Sequence, residues 1–180
     1  MFLDRDGVIN KKAPEGQYVR SWDEFYLLPK AAEAIARLNR AGIRAVVATN
    51  QRGIAKGLYA AADVEAIHAA LQDLLAGYDA HLDGFFFCPH DKNACHCRKP
   101  LPGLFEQAVA AFPEITAATS AMIGDSWVDM EFGRRLGMRT ILIEDGREHR
   151  KAGDEEACRL AGQRFPSLDD AVDALLSAET

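Results

Sequence analysis

Two aspartates near the start of the chain, Asp4 and Asp6, have the spacing of a nucleophile and its proton donor. They follow a short apolar stretch and come directly before Gly7, which lets the backbone turn sharply. Acids two positions apart in such a turn can lie side by side, so that one attacks phosphorus while the other protonates the leaving oxygen and later activates water. The alternative is a solvated acidic turn, and this pair taken alone favours that alternative.

Two further clusters carry groups that bind phosphate. The hydroxyl of Thr49 and the backbone N–H of Asn50 can hold phosphate oxygens. Lys99 can neutralise the charge of a phosphorylated aspartate, and Arg98 can clamp a substrate phosphate with two parallel hydrogen bonds. In isolation each cluster has an ordinary alternative, a turn in which Asn50 bonds its own backbone and an exposed basic pair at Arg98 and Lys99.

Asp125 and Asp129 form a second acidic pair near the start of a predicted helix. Asp125, Asp4 and the backbone carbonyl of Asp6 together offer the oxygen ligands that Mg²⁺ prefers. Asp129 falls one helical turn later on the same face, where it either supports that site or holds Lys99. Alternatively, Asp129 is an acidic residue that complements the helix dipole. The sequence therefore predicts a magnesium site made of Asp4, Asp6 and Asp125.

A cysteine-rich segment has the spacing of a zinc site. Its candidate ligands follow a Cys-x-His-x₄-Cys-x-Cys pattern: Cys88, His90, Cys95 and Cys97. Three thiolates and one imidazole suit tetrahedral Zn²⁺, and four protein ligands leave no open position, so we expect a structural metal. The alternative is a loop of reduced thiols. His96 is expected to point to solvent, and Cys158 is expected to be inert.

Apolar strand-like runs alternate with helix-period segments along the chain. The strands are predicted at residues 1–3, 43–48, 84–87, 121–123 and 140–143, and the helices at 31–39, 63–75, 103–112, 128–136 and 167–176. This alternation predicts an α/β fold with a mostly parallel sheet and helices on both faces. Ligands of such sheets bind beyond the carboxyl ends of the strands. Because Asp4, Thr49 and Asp125 each follow a predicted strand, we expect them to meet in one crevice.

Length and composition fit a soluble protein of one domain. A chain of 180 residues, 48% hydrophobic and 27% charged, can bury a core without disulfide bonds, so one domain is expected over residues 1–180. The net charge of −6 argues against nucleic acid as a partner. No apolar run is long enough to cross a membrane, and Asp4, Arg5 and Asp6 interrupt any signal peptide. We therefore expect a cytoplasmic monomer that acts on a small phosphorylated metabolite.

Together, the four polar clusters resemble the four motifs of the haloacid dehalogenase (HAD) superfamily of phosphatases, in the same order along the chain. The resemblance implies a Rossmann-like fold. The segments between the motifs are too short for a separate cap domain, so a capless enzyme is expected. The resemblance also implies these roles: Asp4 as nucleophile, Asp6 as general acid and base, Thr49 and Lys99 as phosphate ligands, Asp125 as magnesium ligand and Asp129 as its support.

The zinc loop runs directly into Arg98 and Lys99, which resembles the capless, zinc-containing branch that holds heptose-1,7-bisphosphate 7-phosphatases and histidinol-phosphate phosphatases. Tyr18-Val19 and the segment 49–57 look like the former, and the compact zinc loop looks more like the latter. A sugar bisphosphate is favoured, because Arg98 beside Lys99 can clamp a second phosphate. Histidinol phosphate carries a cationic amine that a basic rim disfavours. We therefore expect removal of the 7-phosphate of D-glycero-D-manno-heptose 1,7-bisphosphate.

Two alternatives stay open at this point. One is a histidinol-phosphate phosphatase, or a phosphatase of another small metabolite, with the same chemistry and the same Mg²⁺ and Zn²⁺. The other is a zinc-stabilised binding protein without activity, which the intact set of candidate catalytic residues disfavours. Ser126 departs from many heptose phosphatases, which carry lysine directly after the motif aspartate, and this leaves one phosphate-side contact unaccounted for.

Overall fold

A parallel sheet is the centre of the fold. The computed structural model describes residues 1–144 and 153–177, so positions 145–152 and 178–180 of the expected domain lie outside the described residues. Six strands pair in the order β3-β2-β1-β4-β5-β6, each parallel to its neighbours: β1 (Phe2–Leu3), β2 (Val46–Asn50), β3 (Gly84–Cys88), β4 (Ala121–Gly124), β5 (Arg139–Ile143) and β6 (Gln163–Phe165). The predicted α/β fold with a parallel sheet is confirmed.

Helices cover both faces of the sheet because its central strands are apolar on both sides. They are α1 (Ala31–Arg40), α2 (Ala61–Ala76), α3 (Gly103–Ala111), α4 (Trp127–Leu136), α5 (Asp154–Leu160) and α6 (Leu168–Ser177). Successive side chains of a strand point to opposite faces. Leu3 therefore joins the core under α1, α2 and α6, while Phe2 joins the core under α3 and α4. Both residues are fully buried, and each such burial stabilises the fold by roughly 2 kcal/mol.

The strand order reverses next to β1. β2 and β3 extend the sheet on one side of β1, whereas β4, β5 and β6 extend it on the other. A crevice opens at the carboxyl ends of the strands where the order reverses, and α/β proteins bind their ligands there. Asp4 follows β1 and Asp125 follows β4, the two strands that flank this point, with Leu3 in register with Ile123.

Several elements differ from the sequence-based prediction. β2 begins at Val46 and continues to Asn50, later at both ends than predicted. Helix α5, strand β6 and a short 3-10 helix at Trp22–Glu24 were not predicted. β6 pairs only with β5, and its Gln163 and Arg164 are exposed, so it carries no apolar pattern. In the described residues no domain is inserted between the elements, and no helix is both long and apolar enough to cross a membrane.

Candidate active site

The turn after β1 is held by the sheet and by its own backbone. The N–H of Asp4 donates to the carbonyl oxygen of Ile123 at 2.9 Å, and the carbonyl of Arg5 accepts the N–H groups of the residues that close the turn. Gly7 has a φ of +94°, and a Cβ at this position would lie 2.4 Å from Oδ2 of Asp125. Glycine is therefore required for the turn to approach the Asp125 carboxylate so closely.

Asp4 is a nearly buried carboxylate beside a buried ammonium group. Its Oδ1 accepts a hydrogen bond from the backbone N–H of Arg5 at 2.9 Å and lies 3.2 Å from Nζ of Lys99. Burial raises the pKa of Asp4 above its usual value, and the positive charge of Lys99 opposes that rise. Lys99 is thus the main group that favours the anionic, nucleophilic form of Asp4, and the charge of Lys12 acts in the same direction.

Asp6 has different surroundings. Its carboxylate accepts hydrogen bonds from the side chains of Arg5 at 3.0 Å, Asn10 at 3.0 Å and Gln51 at 3.1 Å. Burial by itself would raise the pKa of Asp6, but these three donors hold it below its usual value. The two neighbouring carboxyl groups therefore have pKa shifts in opposite directions.

The end of β2 holds the backbone of Lys99. Oδ1 of Asn50 accepts the N–H of Lys99 at 3.0 Å, and Nδ2 of Asn50 donates to the carbonyl oxygen of Lys99 at 3.1 Å. Thr49 is buried, and its hydroxyl accepts a hydrogen bond from Nε2 of Gln51 at 3.0 Å. The phosphate contacts of Thr49 and Asn50 stay predictions, and the amide of Asn50 has a positioning role that sequence reasoning missed.

A cavity of about 350 Å³ lies beyond these strand ends. Residues 12–19 form one wall of it, and the other lining residues include Asp4, Asp6, Thr49, Asn50, Arg98, Lys99, Ser126 and Asp129. The structure therefore brings Asp4, Asp6, Asp129 and the predicted phosphate ligands to one cavity, and the buried Asp125 lies behind its lining residues. A second cavity of about 820 Å³ adjoins it along the same wall.

Two carboxylates at the junction of β4 and α4 face Asp4. Asp4, Asp125 and Asp129 each place one oxygen within 4.8 Å of the others, close enough to share a metal ion. Both oxygens of Asp129 are engaged, because Oδ1 lies 2.5 Å from Nζ of Lys99 and Oδ2 accepts the N–H of Ser126 at 3.1 Å. Asp129 therefore fits the supporting role predicted from the sequence. Asp4 and Asp125 stay the predicted ligands for Mg²⁺, and both oxygens of Asp125 contact Nζ of Lys12.

Four zinc-type side chains meet beside the cavity. Sγ of Cys88 lies 3.5 Å from Sγ of Cys95 and 3.7 Å from Nδ1 of His90, and Sγ of Cys97 lies 3.3 Å from that nitrogen and 3.5 Å from Sγ of Cys95. Ligand atoms around a tetrahedral Zn²⁺ with bonds of 2.0–2.3 Å are about 3.6 Å apart. The four donors therefore fit Zn²⁺, whose presence stays a prediction. Burial raises the pKa of the Cys88 thiol, so binding of the ion would release its proton.

The other sulfur and imidazole groups of this region lie outside the cluster. Nε2 of His96 is 3.1 Å from the carboxylate of Glu106 at the surface, and Sγ of Cys158 donates to Oε1 of Glu144 at 3.4 Å. Arg98 lines the cavity and donates from Nη1 to the carbonyl oxygen of His90, at 3.4 Å. The zinc-type cluster thus lies against the arginine predicted to bind substrate.

Known proteins resemble this chain over its whole length. Residues 96–171 match a family model described as HAD-hydrolase-like. The D-glycero-D-manno-heptose-1,7-bisphosphate 7-phosphatase of Chlorobaculum tepidum is 39% identical over 192 aligned residues, covering 100% of this chain and 92% of that protein. The chain belongs to the HAD superfamily of phosphatases.

Relatives of this HAD phosphatase are named for both anomers of one sugar. The D-glycero-alpha-D-manno-heptose-1,7-bisphosphate 7-phosphatase of Mycobacterium tuberculosis is 43% identical, over 76% of this chain and 72% of that protein. The D-glycero-beta-D-manno-heptose-1,7-bisphosphate 7-phosphatase of Pseudomonas aeruginosa is 38% identical, over 85% of each chain. The crystal structure of D,D-heptose 1,7-bisphosphate phosphatase from B. bronchiseptica, complexed with magnesium and phosphate, has a TM-score of 0.85 at 32% identity, covering 99% and 98% of the two chains.

Four residues that contact the carboxylates of this HAD phosphatase had no role in the sequence analysis. Arg5 is fully buried and, like Asn10 and Gln51, donates to Asp6. Nζ of Lys12 lies 2.8 Å and 2.6 Å from the two carboxylate oxygens of Asp125. The position of Arg5 between two acids is a signal that the sequence contains. Lys12 and Asp125 are 113 positions apart, and no local pattern links them.

Proposed function

We propose that this HAD phosphatase removes the 7-phosphate of D-glycero-D-manno-heptose 1,7-bisphosphate. The observation that carries the proposal is the convergence of Asp4, Asp6, Thr49 and Lys99 on one cavity at the point where the strand order reverses. The choice of ester is supported by similarity, over the whole chain, to a phosphatase named for that substrate. The basic rim of the cavity supports it independently.

The first step is transfer of the phosphoryl group to the protein. A carboxylate oxygen of Asp4 attacks phosphorus, and the bond from phosphorus to the sugar oxygen breaks as the new bond forms. Asp6 gives its proton to the departing sugar oxygen. Thr49 and Lys99 bind the phosphoryl oxygens, and Asp129 holds the ammonium group of Lys99 in place.

The second step returns Asp4 to its starting form. Asp6 is now a base and accepts a proton from water, whose oxygen attacks the phosphorus of the aspartyl phosphate. The bond between Asp4 and phosphorus breaks, inorganic phosphate leaves, and Asp4 is again a carboxylate. The donors around Asp6 that lower its pKa favour this basic form.

Two metal ions complete the proposal. Mg²⁺ would be held by the carboxylates of Asp4 and Asp125 and by the backbone carbonyl of Asp6, and it supplies positive charge that offsets the charge of the phosphate. Zn²⁺ would be held by the thiolates and the imidazole of the cysteine cluster: Cys88, His90, Cys95 and Cys97. Zn²⁺ would have a structural role, because these four protein ligands would leave no open coordination position.

Arg98 is the proposed clamp for the second phosphate of the sugar. Its side chain lines the cavity, and its backbone directly follows Cys97 and precedes Lys99, so its base is fixed by the zinc-type loop. A guanidinium group binds phosphate with two parallel hydrogen bonds. The phosphate at the 7-position is a primary ester and less hindered, so it enters the reactive end while the other phosphate stays at Arg98.

The test is a substrate panel with wild type, Asp4→Asn and the surface control Asp73→Asn. The panel contains both anomers of the heptose bisphosphate, histidinol phosphate and an aryl phosphate, with and without Mg²⁺. We expect the heptose bisphosphate to have the highest kcat/KM, and Asp4→Asn to lower it by about three orders of magnitude or more while circular dichroism is unchanged. Asp73 is exposed on α2, and its variant should keep the wild-type rate.

Three other results of this panel would each contradict a different part of the proposal. A clear preference for histidinol phosphate would replace the substrate and leave the chemistry intact. No turnover of any ester with Mg²⁺ would favour a zinc-stabilised binding protein. Near-wild-type turnover by Asp4→Asn would contradict the nucleophile.

The organisation of the molecule is part of the proposal. We propose one domain over residues 1–180, a monomer, and a cytoplasmic location. Clustered cysteines bind metal more often than they form disulfide bonds in a reducing compartment, so the cysteine cluster fits this location. Size-exclusion chromatography with light scattering tests the monomer, and a mass of two chains would contradict it.

A further inference from the structure

Lys12 reaches from an exposed segment onto a buried acid of the active site. Its Nζ lies 2.6 Å and 2.8 Å from the two carboxylate oxygens of Asp125, whose side chain is fully buried, while the Lys12 side chain is 38% exposed. The ammonium group is thus held by a buried carboxylate at the end of a stem that is partly in solvent.

The ammonium groups of Lys99 and Lys12 contact different carboxylates of the site. Nζ of Lys99 lies 3.2 Å from Oδ1 of Asp4 and 2.5 Å from Oδ1 of Asp129, whereas Nζ of Lys12 contacts Asp125. Lys12 uses both oxygens of Asp125. A divalent cation that binds an oxygen of Asp125 therefore competes with Lys12 for the same atom, since two cations in contact with one buried carboxylate repel each other.

The walls of the cavity give Lys12 a second partner. Among the described residues, the cations that line the cavity are Lys12, Arg98 and Lys99, and Lys12 belongs to the lining segment of residues 12–19. Ser126, the residue after Asp125, also lines the cavity, but its hydroxyl is already hydrogen-bonded to Asp129 and carries no charge. Lys99 is held by Asp4 and Asp129, so Lys12 is a further cation at the cavity for a bound phosphate.

We propose that Lys12 exchanges partners during the reaction, yielding Asp125 to Mg²⁺ and then binding the phosphate of the substrate. The proposal rests on the proposed function, which assigns Asp125 to the metal. It makes Lys12 a substrate-binding residue whose availability depends on the metal. Binding of Mg²⁺ and binding of phosphate then strengthen each other, because the ion both attracts the phosphate and releases the lysine.

The side chain can make this exchange while the backbone stays in place. Lys12 lines both the 350 Å³ cavity and the adjoining 820 Å³ cavity, so its stem has space on either side. The backbone just before it is fixed, since Asn10 donates to the carbonyl of Lys11 at 3.0 Å and the N–H of Lys11 donates to the carbonyl of Tyr26 at 2.8 Å. Lysine suits the task because its ammonium group is a point charge on a flexible stem.

Lys12→Met removes the charge and keeps the stem, and Lys11→Met is its matched control. Lys11 is exposed, lines only the 820 Å³ cavity and loses the same charge one position away. In calorimetric titrations with Mg²⁺, we expect Lys12→Met to bind the ion about fivefold more tightly than wild type, because no lysine must leave. Lys11→Met should stay within about twofold of wild type, the scale of a remote surface charge.

A second titration tests the phosphate contact. Inorganic phosphate is titrated into each protein with and without saturating Mg²⁺. In wild type, we expect Mg²⁺ to strengthen phosphate binding, and in Lys12→Met this enhancement should be smaller by about tenfold. Thermal unfolding without metal checks that the variant is folded.

Two results would overturn the exchange, namely equal Mg²⁺ affinity of Lys12→Met and wild type, or an unchanged effect of Mg²⁺ on phosphate binding. Asp125→Asn separates such a failure from a failure of the proposed function. If Asp125→Asn binds Mg²⁺ as tightly as wild type, Asp125 is not a magnesium ligand, and the proposed exchange is wrong as well. If Asp125→Asn loses Mg²⁺ while Lys12→Met behaves as wild type, only the exchange is wrong.

Discussion

Asp4 and Asp6 are two residues apart, yet their surroundings shift their pKa values in opposite directions. Burial raises the pKa of Asp4, whereas the donors Arg5, Asn10 and Gln51 lower that of Asp6. At neutral pH Asp6 is therefore predominantly a carboxylate, the form that the hydrolysis of the aspartyl phosphate needs. The transfer step needs the protonated form, whose fraction falls tenfold for each pH unit above the pKa. Proton donation by Asp6 is thus the pH-sensitive part of the first step.

This predicts a pH effect that depends on the leaving group. Above about pH 7 phosphate monoesters are mostly dianions, because their second pKa is near 6. In this range we expect the ratio of kcat/KM for a primary alkyl phosphate to that for an aryl phosphate to fall as pH rises, by up to about tenfold per unit. Only the alkyl ester needs protonation, and the ratio cancels titrations common to both substrates. Initial rates with both esters provide the measurement.

Asp6→Asn is the matching variant. It should lower the rate for the alkyl ester more than for the aryl ester and make their ratio independent of pH. If the wild-type ratio is already independent of pH, Asp6 does not donate the proton.

At the scale of elements, the segment between β3 and α3 joins the zinc-type ligands to the phosphate-binding residues. Cys97 is followed directly by Arg98 and Lys99, and a Cβ added to Gly103 at the start of α3 would lie 2.7 Å from Cα of Cys97. Helix α3 therefore packs directly on this segment. Asn50 at the end of β2 holds the backbone of Lys99 from the other side. The position of Lys99 thus depends on this loop, whose shape we expect to depend on Zn²⁺ held by the four candidate ligands.

Cys95→Ser and its control Cys158→Ser test this dependence. We expect about one zinc ion per chain in wild type and in Cys158→Ser, and loss of most of it in Cys95→Ser, since three remaining ligands hold Zn²⁺ poorly. Activity of Cys95→Ser should fall by about tenfold or more, through displacement of Arg98 and Lys99. Elemental analysis and kcat/KM provide the measurements. Absence of zinc in wild type purified without chelator would count against the site.

The elements also explain what the sequence could predict. The central strands and their helices have strong apolar patterns, so the parallel sheet and the meeting of Asp4, Thr49 and Asp125 at its edge followed from local sequence. The prediction missed strand β6, because an edge strand with exposed Gln163 needs no such apolar pattern. The contact between Lys12 and Asp125 could not be predicted for a different reason. The two residues are 113 positions apart, in a loop and after a strand end, and they meet only through tertiary packing.

At the scale of the whole molecule, the two halves of the sheet share β1, and the first and last helices pack together. β1 pairs with both β2 and β4. Arg37 in α1 donates to Oδ1 of Asp169 in α6 at 2.8 Å, and Lys30 lies 3.1 Å from the same carboxylate. We therefore expect one cooperative unfolding transition, as for a single domain. The protonation of a buried group anywhere in this unit then affects the free energy of unfolding of the whole.

His68 is such a group, and it gives the stability of the molecule a definite pH dependence. It lies in α2, is 5% exposed and stacks on Phe85 of β3 with ring centroids 4.5 Å apart. Burial lowers the pKa of His68 to about 3. An unfolded histidine titrates near a pKa of roughly 6.5, so between these values the unfolded chain binds a proton that the folded chain excludes. This contribution to stability is therefore complete above about pH 6.5 and is lost as the pH falls toward the folded value.

Between about pH 7 and pH 5, we expect His68 alone to lower the free energy of unfolding by about 2 kcal/mol. His68→Phe keeps a ring against Phe85 and removes the titration. The free energy of unfolding of this variant should therefore fall by about 2 kcal/mol less than that of wild type over the same pH interval. His81→Gln changes an exposed histidine and should lose as much as wild type. Urea unfolding at the two pH values measures all three proteins. If the free energy of unfolding falls equally in wild type and His68→Phe, folding does not change the protonation of His68. That result would contradict a buried neutral imidazole at this position.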